Sequence, residues 1–256
     1  MMAFNMVGCW ALFVKEVKRF YSVVVQTVFA PIVSTLLYLL VFGHVIDAQL
    51  EGFDGLNYSQ FLIPGLVMMA LLQNAFSNTS SSLIQSKMHG NLTFVLLSPI
   101  SPFELYVAFI AASVVRGLAV GLGILLIGMV GFNVSIQSPM WVLLFAMLSA
   151  AMMGGLGMLA GILSDKFDQL AAFQNFIIMP LTFLSGVFYS IHALPSMWQF
   201  VSHFNPFFYM VDGFRYGFFE QSDVSVYMSF IVTTAFLVMI TAINLILLNK
   251  GVKIRK

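Results

Sequence analysis

The sequence predicts an all-α protein that crosses a membrane several times. Of its 256 residues, 60% are hydrophobic and 8% are charged. The mean hydropathy is +0.97, and these values lie far outside the range of soluble globular domains. Long, largely uncharged segments recur along the chain, separated by polar or charged residues. Because about 20 apolar residues in a helix cross a bilayer, they predict six transmembrane helices in one domain over residues 1–256.

Composition and motifs exclude several classes of function. A net charge of +1 gives no bulk attraction to nucleic acid, and the single cysteine, Cys9, can form neither an internal disulfide nor a structural metal site. The sequence contains no P-loop, no H-E-x-x-H and no G-x-S-x-G motif. Its histidines are isolated, unlike clustered metal ligands: His44, His89, His192 and His203. We therefore expect this chain to have no catalytic, cofactor or metal site of its own.

The N-terminal segment predicts an amphipathic helix at the membrane surface. Apolar residues recur at helical spacing from Trp10 to Tyr21. The basic residues of this segment fall largely away from that stripe: Lys15, Lys18 and Arg19. The alternative is that the segment simply begins the first span, which we place at about residues 21–46.

Five further spans are predicted, at about residues 58–83, 103–132, 140–163, 170–190 and 224–248. The second span is polar in its second half, from Gln73 to Ser82, so we expect that half to face protein or a water-filled path. Closely spaced glycines in the third and fourth spans predict tight helix packing: Gly117, Gly121, Gly123, Gly154, Gly157 and Gly161.

The segment Ser82–Glu104 joins the second span to the third and is predicted to lie at a membrane surface. Its apolar run, Leu92–Leu97, is too short to cross a bilayer. Ser101, Pro102 and Glu104 form the pattern of a capping box with proline at the first helical position, so the next helix should begin there. A surface segment with a defined end can act as a lever, and we expect a soluble partner to push on it.

Residues 192–223 are aromatic and apolar but are broken into pieces of about 10–14 residues, a length typical of re-entrant segments. Pro195 and Pro206 can each open a short helix, so we expect two helices that dip into the outer leaflet without crossing it. An interfacial aromatic belt is expected from this region: Trp198, Phe200, Phe207, Phe208, Tyr209, Phe214, Tyr216, Phe218 and Phe219.

This region is expected to gate the outer end of a transport path. Asp212 and Arg215 are three residues apart and can pair on one helical face. The alternative is a static plug that only seals the molecule. The candidate gate residues are Asn205, Pro206, Asp212, Gly213 and Arg215.

The positions of lysine and arginine predict the orientation in the membrane. Nine of the eleven lie in the N-terminal segment, the Ser82–Glu104 segment, the loop at residues 165–168 and the C-terminal tail. Cytoplasmic loops carry the excess of basic residues, so both termini and Ser82–Glu104 should be cytoplasmic. Six spans are consistent with this arrangement.

Arg116 is the basic residue predicted to lie deepest in the membrane. It lies 13 residues beyond Phe103, about 20 Å along a helix, where an isolated arginine costs on the order of 3 kcal/mol. We expect it to face the subunit interior and the translocation path, with polar contacts to Gln73, Asn74 or Gln174. The alternative is that its side chain reaches toward the nearer membrane surface.

Four stretches of the sequence resemble the permease subunits of ABC type-2 exporters: KEVKRFYSVVVQTVFAPIVSTLLYLLVFG, YSQFLIPGLVMM, LLSPISPFELYVAFIAASVVRG and NPFFYMVDGFRYGFFE. The likeness spans nearly the whole chain and points to the small bacterial inner-membrane permeases. It implies six spans, an N-terminal interface helix, a cytoplasmic coupling helix at about residues 86–99, and extracellular re-entrant helices at about residues 192–223.

The resemblance also implies the partners. Two copies of the permease would assemble with two copies of a separate ABC ATPase subunit, which holds ATP and Mg, while the permease itself contacts membrane lipids and an exported substrate. The residues expected to contact the ATPase are Lys87, Met88, Gly90, Asn91, Leu92, Leu97, Ser98 and Pro99. The substrate does not follow from the resemblance, because the shared motifs concern architecture.

Two other classes of function stay open at this point. A secondary transporter should show inverted repeats with paired broken helices near the membrane midplane, whereas the strongly broken region here is residues 192–223. A membrane anchor or sensor that transports nothing is the third possibility. Copurification with an ATPase would distinguish these classes from an exporter permease.

Overall fold

The structure is a computed structural model that describes residues 4–43 and 58–252. It is helical in its regular elements, as the composition predicts. The acidic loop that follows the first span, the end of that span with His44, and the last four residues of the basic tail lie outside the described residues.

Helix α1 is Met6–Tyr21, and α2 is Ala30–Tyr38 together with the π-helical turns Val25–Phe29 and Leu39–Gly43 on either side. Helices α3 to α6 are Tyr58–Met88, Asn91–Leu97, Pro102–Phe132 and Pro139–Leu163. Helix α7 runs from Phe167–Phe173 through the π-helical turn Gln174–Ile178 to Met179–Phe183. Helices α8 to α10 are Ser196–His203, Pro206–Phe219 and Val226–Lys250.

Four of these helices are long and apolar enough to cross a membrane, namely α3, α5, α6 and α10, and a fifth span results if α1 and α2 are counted as one broken unit. The count of six spans therefore stays a prediction. The predicted span at residues 170–190 is shorter than expected, because α7 ends at Phe183. Beyond it the chain turns at Gly186, which has φ +77°, and Tyr58 donates a hydrogen bond to the carbonyl of Phe188 at 2.9 Å.

Helix α1 is bent sharply away from the segment that follows it. The axes of Met6–Tyr21 and Val25–Val41 differ by 74°, so the two do not form one straight helix, and the separation of α1 from the first span stays a prediction. The face of α1 that packs on the rest of the chain carries Leu12, Glu16 and Phe20, whereas Trp10 and Tyr21 are exposed. This arrangement agrees with an amphipathic helix; its position at the membrane surface stays a prediction.

Helix α3 occupies the centre of the molecule. It packs against α5, α6 and α9. In its apolar 18-residue segment, 89% of the residues are buried inside the protein. The predicted glycine contacts are confirmed. A Cβ at Gly157 would collide with the backbone carbonyl of Phe76 in α3, and a Cβ at Gly117 would lie 3.3 Å from the carbonyl oxygen of Leu71.

Gly157→Ala is expected to destabilise the protein by about 2 kcal/mol or more, because the added methyl group meets backbone, which cannot rotate away. Gly131→Ala in α5 is the matched control, since a Cβ at Gly131 has open space around it. It should be neutral or stabilising by up to about 1 kcal/mol through helix propensity. Denaturant unfolding in detergent measures both changes, and equal stabilities of the two variants would contradict the packing argument.

The segment between α7 and α10 forms two helices at the predicted positions, α8 and α9, but the environment of α9 differs from the prediction. Phe207, Phe208, Phe214 and Phe218 are fully buried. Helix α9 packs against α6, α10 and α3, so most of its aromatic side chains belong to the protein core and do not form an interfacial belt. The exposed aromatic side chains of this segment include Trp198 and Phe200, both in α8.

Candidate functional site

The segment that joins α3 to α5, which we call the coupling segment (residues 86–99), consists of the end of α3, a turn, and the short helix α4. Gly90 takes φ +73° at the turn, a left-handed conformation that favours glycine. Helix α4 then runs for seven residues, Asn91–Leu97, and Ser98 returns the chain to an extended conformation. The segment is thus a turn followed by one short helix, and it joins two long helices.

Lys87 fixes the beginning of the coupling segment. Its Nζ donates hydrogen bonds to the backbone carbonyls of Ile162 and Ser164 at the C-terminal end of α6. A cation is stabilised there by unpaired carbonyls and by the helix dipole. In this structure the Lys87 side chain is held by its own subunit, and its contact with the ATPase stays a prediction.

Leu92 also points inward. It is 5% exposed and belongs to a cluster with Leu12, Leu83 and Leu105. A side chain in this position cannot enter a groove of another protein unless α4 detaches. The prediction of Leu92 as a contact residue is therefore corrected: its apolar contacts anchor α4 to α1, α3 and α5.

The outward face of the coupling segment carries exposed apolar side chains beside polar ones such as Asn91 and Thr93. Phe94 is 73% exposed and Leu97 is 78% exposed, and their spacing of three residues places them on one face of α4. Met88 is exposed nearby. Phe94 was missed in the sequence analysis, although its position between the inward Leu92 and the outward Leu97 follows from helical periodicity.

The other predicted contact residues have mixed environments. Gly90, Asn91 and Pro99 are exposed, whereas Ser98 is half-buried and its hydroxyl donates to the carbonyl of Val95.

The predicted capping box is confirmed. The backbone N–H of Ser101 donates to Glu104 Oε2 at 2.7 Å, and the N–H of Glu104 donates to Ser101 Oγ at 3.3 Å.

A polar cleft of about 360 Å³ lies between α2, α3 and α7. Its hydrogen-bonding residues come from α2 and α3: Gln26, Ser34, Thr35, Tyr38, Gln73 and Asn74. Met179 and Phe183 of α7 also line it. The lining residues that the structure describes carry amides, hydroxyls and apolar groups and no charged side chain, which suits an amphipathic ligand without strong charge on the surface that meets them.

Arg116 lies behind Asn74. It is 8% exposed, and one Nη donates to Asn74 Oδ1 at 3.1 Å. Its Nε is buried without a partner. The predicted contact with Asn74 is thus confirmed. Gln73 instead donates to the sulfur of Met179, and Gln174 lies half-buried in the π-helical turn of α7, away from the cleft lining.

A second polar cluster connects α1 to α3. Glu16 is fully buried and forms ion pairs with Lys15 at 3.0 Å and with Arg19 at 3.2 Å. Arg19 also donates to the carbonyl of Asn78 at 2.6 Å and contacts the hydroxyl of Ser81. The sequence analysis missed this cluster, although the polar run at the end of α3 indicated that a partner was needed.

The candidate gate residues bind neighbouring elements. Asp212 accepts hydrogen bonds from the N–H of Asp223 at 2.7 Å and from Ser229 at 3.0 Å. Arg215 donates to the carbonyl of Gly186 and lies 4.0 Å from the ring centroid of Phe61. The expected pairing of Asp212 with Arg215 is therefore wrong, because each side chain has other partners.

The remaining candidate gate residues begin α9 or let it pack closely against its neighbours. Asn205 caps α9 by accepting from the N–H of Phe207, and its amide donates to the carbonyl of Leu181. Pro206 is the first residue of α9. A Cβ at Gly213 would collide with the ring of Phe145, so this glycine permits the close approach of α9 to α6.

Comparisons with known proteins give one consistent result. A family model described as ABC-2 type transporter matches residues 7–219. The chain is 34% identical to the inner membrane transport permease YadH of Escherichia coli strain K12 over 251 residues, which cover 98% of each protein. It is also 25% identical to nodulation protein J of Rhizobium leguminosarum bv. viciae over 187 residues, 70% of each protein.

Proposed function

Because the chain belongs to the ABC-2 type transporter family, we propose that it is the membrane-spanning subunit of an ATP-driven exporter. The proposal includes six spans, both termini in the cytoplasm, and the inner membrane as the location. The motor is a separate ATPase subunit that binds ATP and Mg. Two copies of the permease and two ATPase subunits form the complete exporter, as the resemblance of the sequence implies.

The outward face of the coupling segment is the observation that carries this proposal. Phe94 and Leu97 expose apolar surface on a short helix whose own anchor, Leu92, is buried. Because the segment is proposed to lie outside the bilayer, these apolar side chains offer a surface for a protein, and the proposed occupant is an apolar groove of the ATPase. Because the segment connects α3 directly to α5, a partner that displaces it also displaces the two helices.

The polar cleft supports a role in transport. It opens between α2, α3 and α7, and Arg116 lies behind its wall through Asn74. In the proposed exporter a second copy of the chain closes this cleft, and the substrate passes between the copies. Helix α9, held by Asp212 and Arg215, forms the outer end of the path.

Reconstitution tests the proposal. The permease is expressed with a candidate ABC ATPase subunit, purified through a tag on the permease, and placed in proteoliposomes. Retention of the ATPase in roughly equal amounts, and ATP-dependent movement of one member of a panel of lipids, glycans and drugs, are expected. A permease that binds no ATPase and moves a substrate on an ion gradient would show a secondary transporter instead.

The proposed orientation is tested by cysteine labelling. In a Cys9→Ser background, Ser196→Cys and Gln221→Cys are expected to react with an impermeant thiol reagent added to the outer face, since both positions are exposed. Met88→Cys, exposed in the coupling segment, is the control and should react only after the membrane is permeabilised. Labelling of Ser196→Cys only after permeabilisation would contradict the six-span arrangement.

A further inference from the structure

Glu104 holds two elements together at the end of the coupling segment. Its side chain is buried, with the residue 3% exposed. One carboxylate oxygen accepts the backbone N–H of Asn5, at the start of α1, and the other accepts the N–H of Ser101. In residues 4–43 and 58–252, no lysine, arginine or histidine forms an ion pair with it. A buried carboxylate without a cation depends on such hydrogen bonds, which are stronger than those between neutral groups.

Three further contacts join the first turn of α1 to the same region. The Asn5 amide donates to the carbonyl of Pro99 at 3.0 Å, and its oxygen caps α1 by accepting from the N–H of Gly8 at 2.9 Å. Cys9 contacts the carbonyl of Glu104 at 3.5 Å. A Cβ at Gly8 would lie 2.9 Å from the side-chain amide nitrogen of Asn5 and 3.2 Å from Ile100 Cγ1, so the glycine leaves room for both side chains.

The far end of α1 is attached to α3. Arg19 lies in the last turn of α1 and binds Asn78 and Ser81. A helix of 16 residues is about 24 Å long at 1.5 Å per residue. Helix α1 therefore runs between the coupling segment and the polar half of α3, with polar contacts at both ends.

We propose that Glu104 is a positioning residue that fastens α1 to the coupling segment, so that the two move as one body when the ATPase closes. The inference rests on the proposed function, since it concerns how motion from the ATPase reaches the cleft. Displacement of the coupling segment passes through Glu104 and Asn5 into α1, and through Arg19 into α3. Without the bond from Asn5 to Glu104, only the remaining contacts, among them that of the Asn5 amide with Pro99, join α1 to this region, and α1 follows the coupling segment less closely.

Glu104→Gln separates this role from the capping of α5. Glutamine also serves at the third position of a capping box. It replaces one of the two carboxylate oxygens with an NH2 group, which is a donor and cannot accept from a backbone N–H, so the bonds to Asn5 and Ser101 cannot both be kept on separate oxygens. The capping contact is local, so the bond to Asn5 is the one expected to be lost. Loss of a hydrogen bond to a charged group changes the equilibrium between the attached and detached states of α1 by roughly tenfold or more. We therefore expect on the order of tenfold less substrate exported per ATP hydrolysed.

Ser101→Ala is the matched control. It removes the hydroxyl of the capping box but leaves the carboxylate of Glu104 and its bond to Asn5. We expect lower stability with export per ATP close to wild type. Hydrogen exchange reports the contact itself: the amides in the first turn of α1 should exchange faster in Glu104→Gln than in Ser101→Ala.

A covalent link provides the rescue. In a Cys9→Ser and Glu104→Gln background, Gly8→Cys places its Cβ 3.2 Å from the position of Ile100 Cγ1, which the sulfur of Ile100→Cys can occupy to form a disulfide. The reduced form controls for the displacement of Asn5, whose side-chain amide nitrogen lies 2.9 Å from the same Cβ. Oxidation of this complex is expected to restore export per ATP, and reduction should remove the gain. Restoration supports the inference, as does faster exchange in the first turn of α1.

Two results would overturn the inference. One is wild-type export per ATP in Glu104→Gln, and the other is a fully formed cross-link that restores nothing. Failure of the proposed function looks different, because the wild-type permease would then neither retain an ATPase nor export on ATP. In that case the exchange measurement would still report whether Glu104 holds the first turn of α1.

Discussion

Phe94→Asp is expected to abolish ATP-driven export while the permease folds and inserts normally. Phe94 is 73% exposed, so the fold of the chain does not depend on its burial. Contact with an apolar groove of the ATPase would bury the ring, which is worth about 1.5–3 kcal/mol. An aspartate at this position loses the free energy of burying the ring, and an unpaired charge must be buried in the contact. The affinity for the ATPase should fall on the order of 100-fold or more.

Binding of the purified ATPase to the permease in detergent measures this change, together with export in proteoliposomes. Leu97→Asp on the same face of α4 should behave in the same way. Thr93→Asp is the control, because it adds the same charge at an exposed position adjacent to Phe94 in the same helix and should change the affinity less than tenfold. Wild-type affinity in Phe94→Asp would place the ATPase contact elsewhere.

Arg116→Met is expected to raise stability and lower export. Burying an arginine in the membrane interior costs about 2.5–3.5 kcal/mol on insertion scales, whereas the hydrogen bond from its charged guanidinium to Asn74 returns about 1.5–3 kcal/mol. Among the described residues its Nε has no partner. The substitution should therefore stabilise the protein by about 1 kcal/mol or less, which thermal or denaturant unfolding in detergent would detect.

Export should fall about tenfold in the same variant, because Asn74, which lines the cleft, loses the hydrogen bond from Arg116 that holds its side chain. Arg116→Lys keeps the charge and is expected to keep most of the activity. An increase in stability together with a decrease in export in Arg116→Met indicates that the arginine serves function and not the stability of the fold. If Arg116→Met is less stable than wild type and exports normally, the role of Arg116 is structural.

The features that were predictable from the sequence are those set by local chemistry. The capping box at Ser101 and Glu104 depends on residues three apart, and the starts of α8 and α9 follow from Pro195 and Pro206. The long apolar helices follow from composition. These signals do not require knowledge of what lies opposite each side chain.

The features that were not predictable depend on neighbours distant in sequence. Lys87 binds the end of α6, more than 70 positions away in the chain, and Glu104 binds Asn5 near the N-terminus. Arg215 has an aromatic ring and a carbonyl as partners where the sequence suggested Asp212. Side-chain direction in α4 and the burial of α9 are likewise decided by tertiary packing.

Of the four long candidate spans, the central helix α3 has the lowest mean hydropathy, 1.3, yet the largest share of buried residues. Helix α10 has a mean hydropathy of 2.5, and only 22% of the residues in its apolar 18-residue segment are buried. During biosynthesis α3 leaves the ribosome before α5, α6 and α9 exist to surround it. Its polar half then faces lipid, where unsatisfied groups are costly. Stable insertion of α3 should therefore wait for the later helices. Damage at the α3–α6 contact would accordingly be seen first as failed insertion and degradation of the nascent protein, before any inactive exporter accumulates.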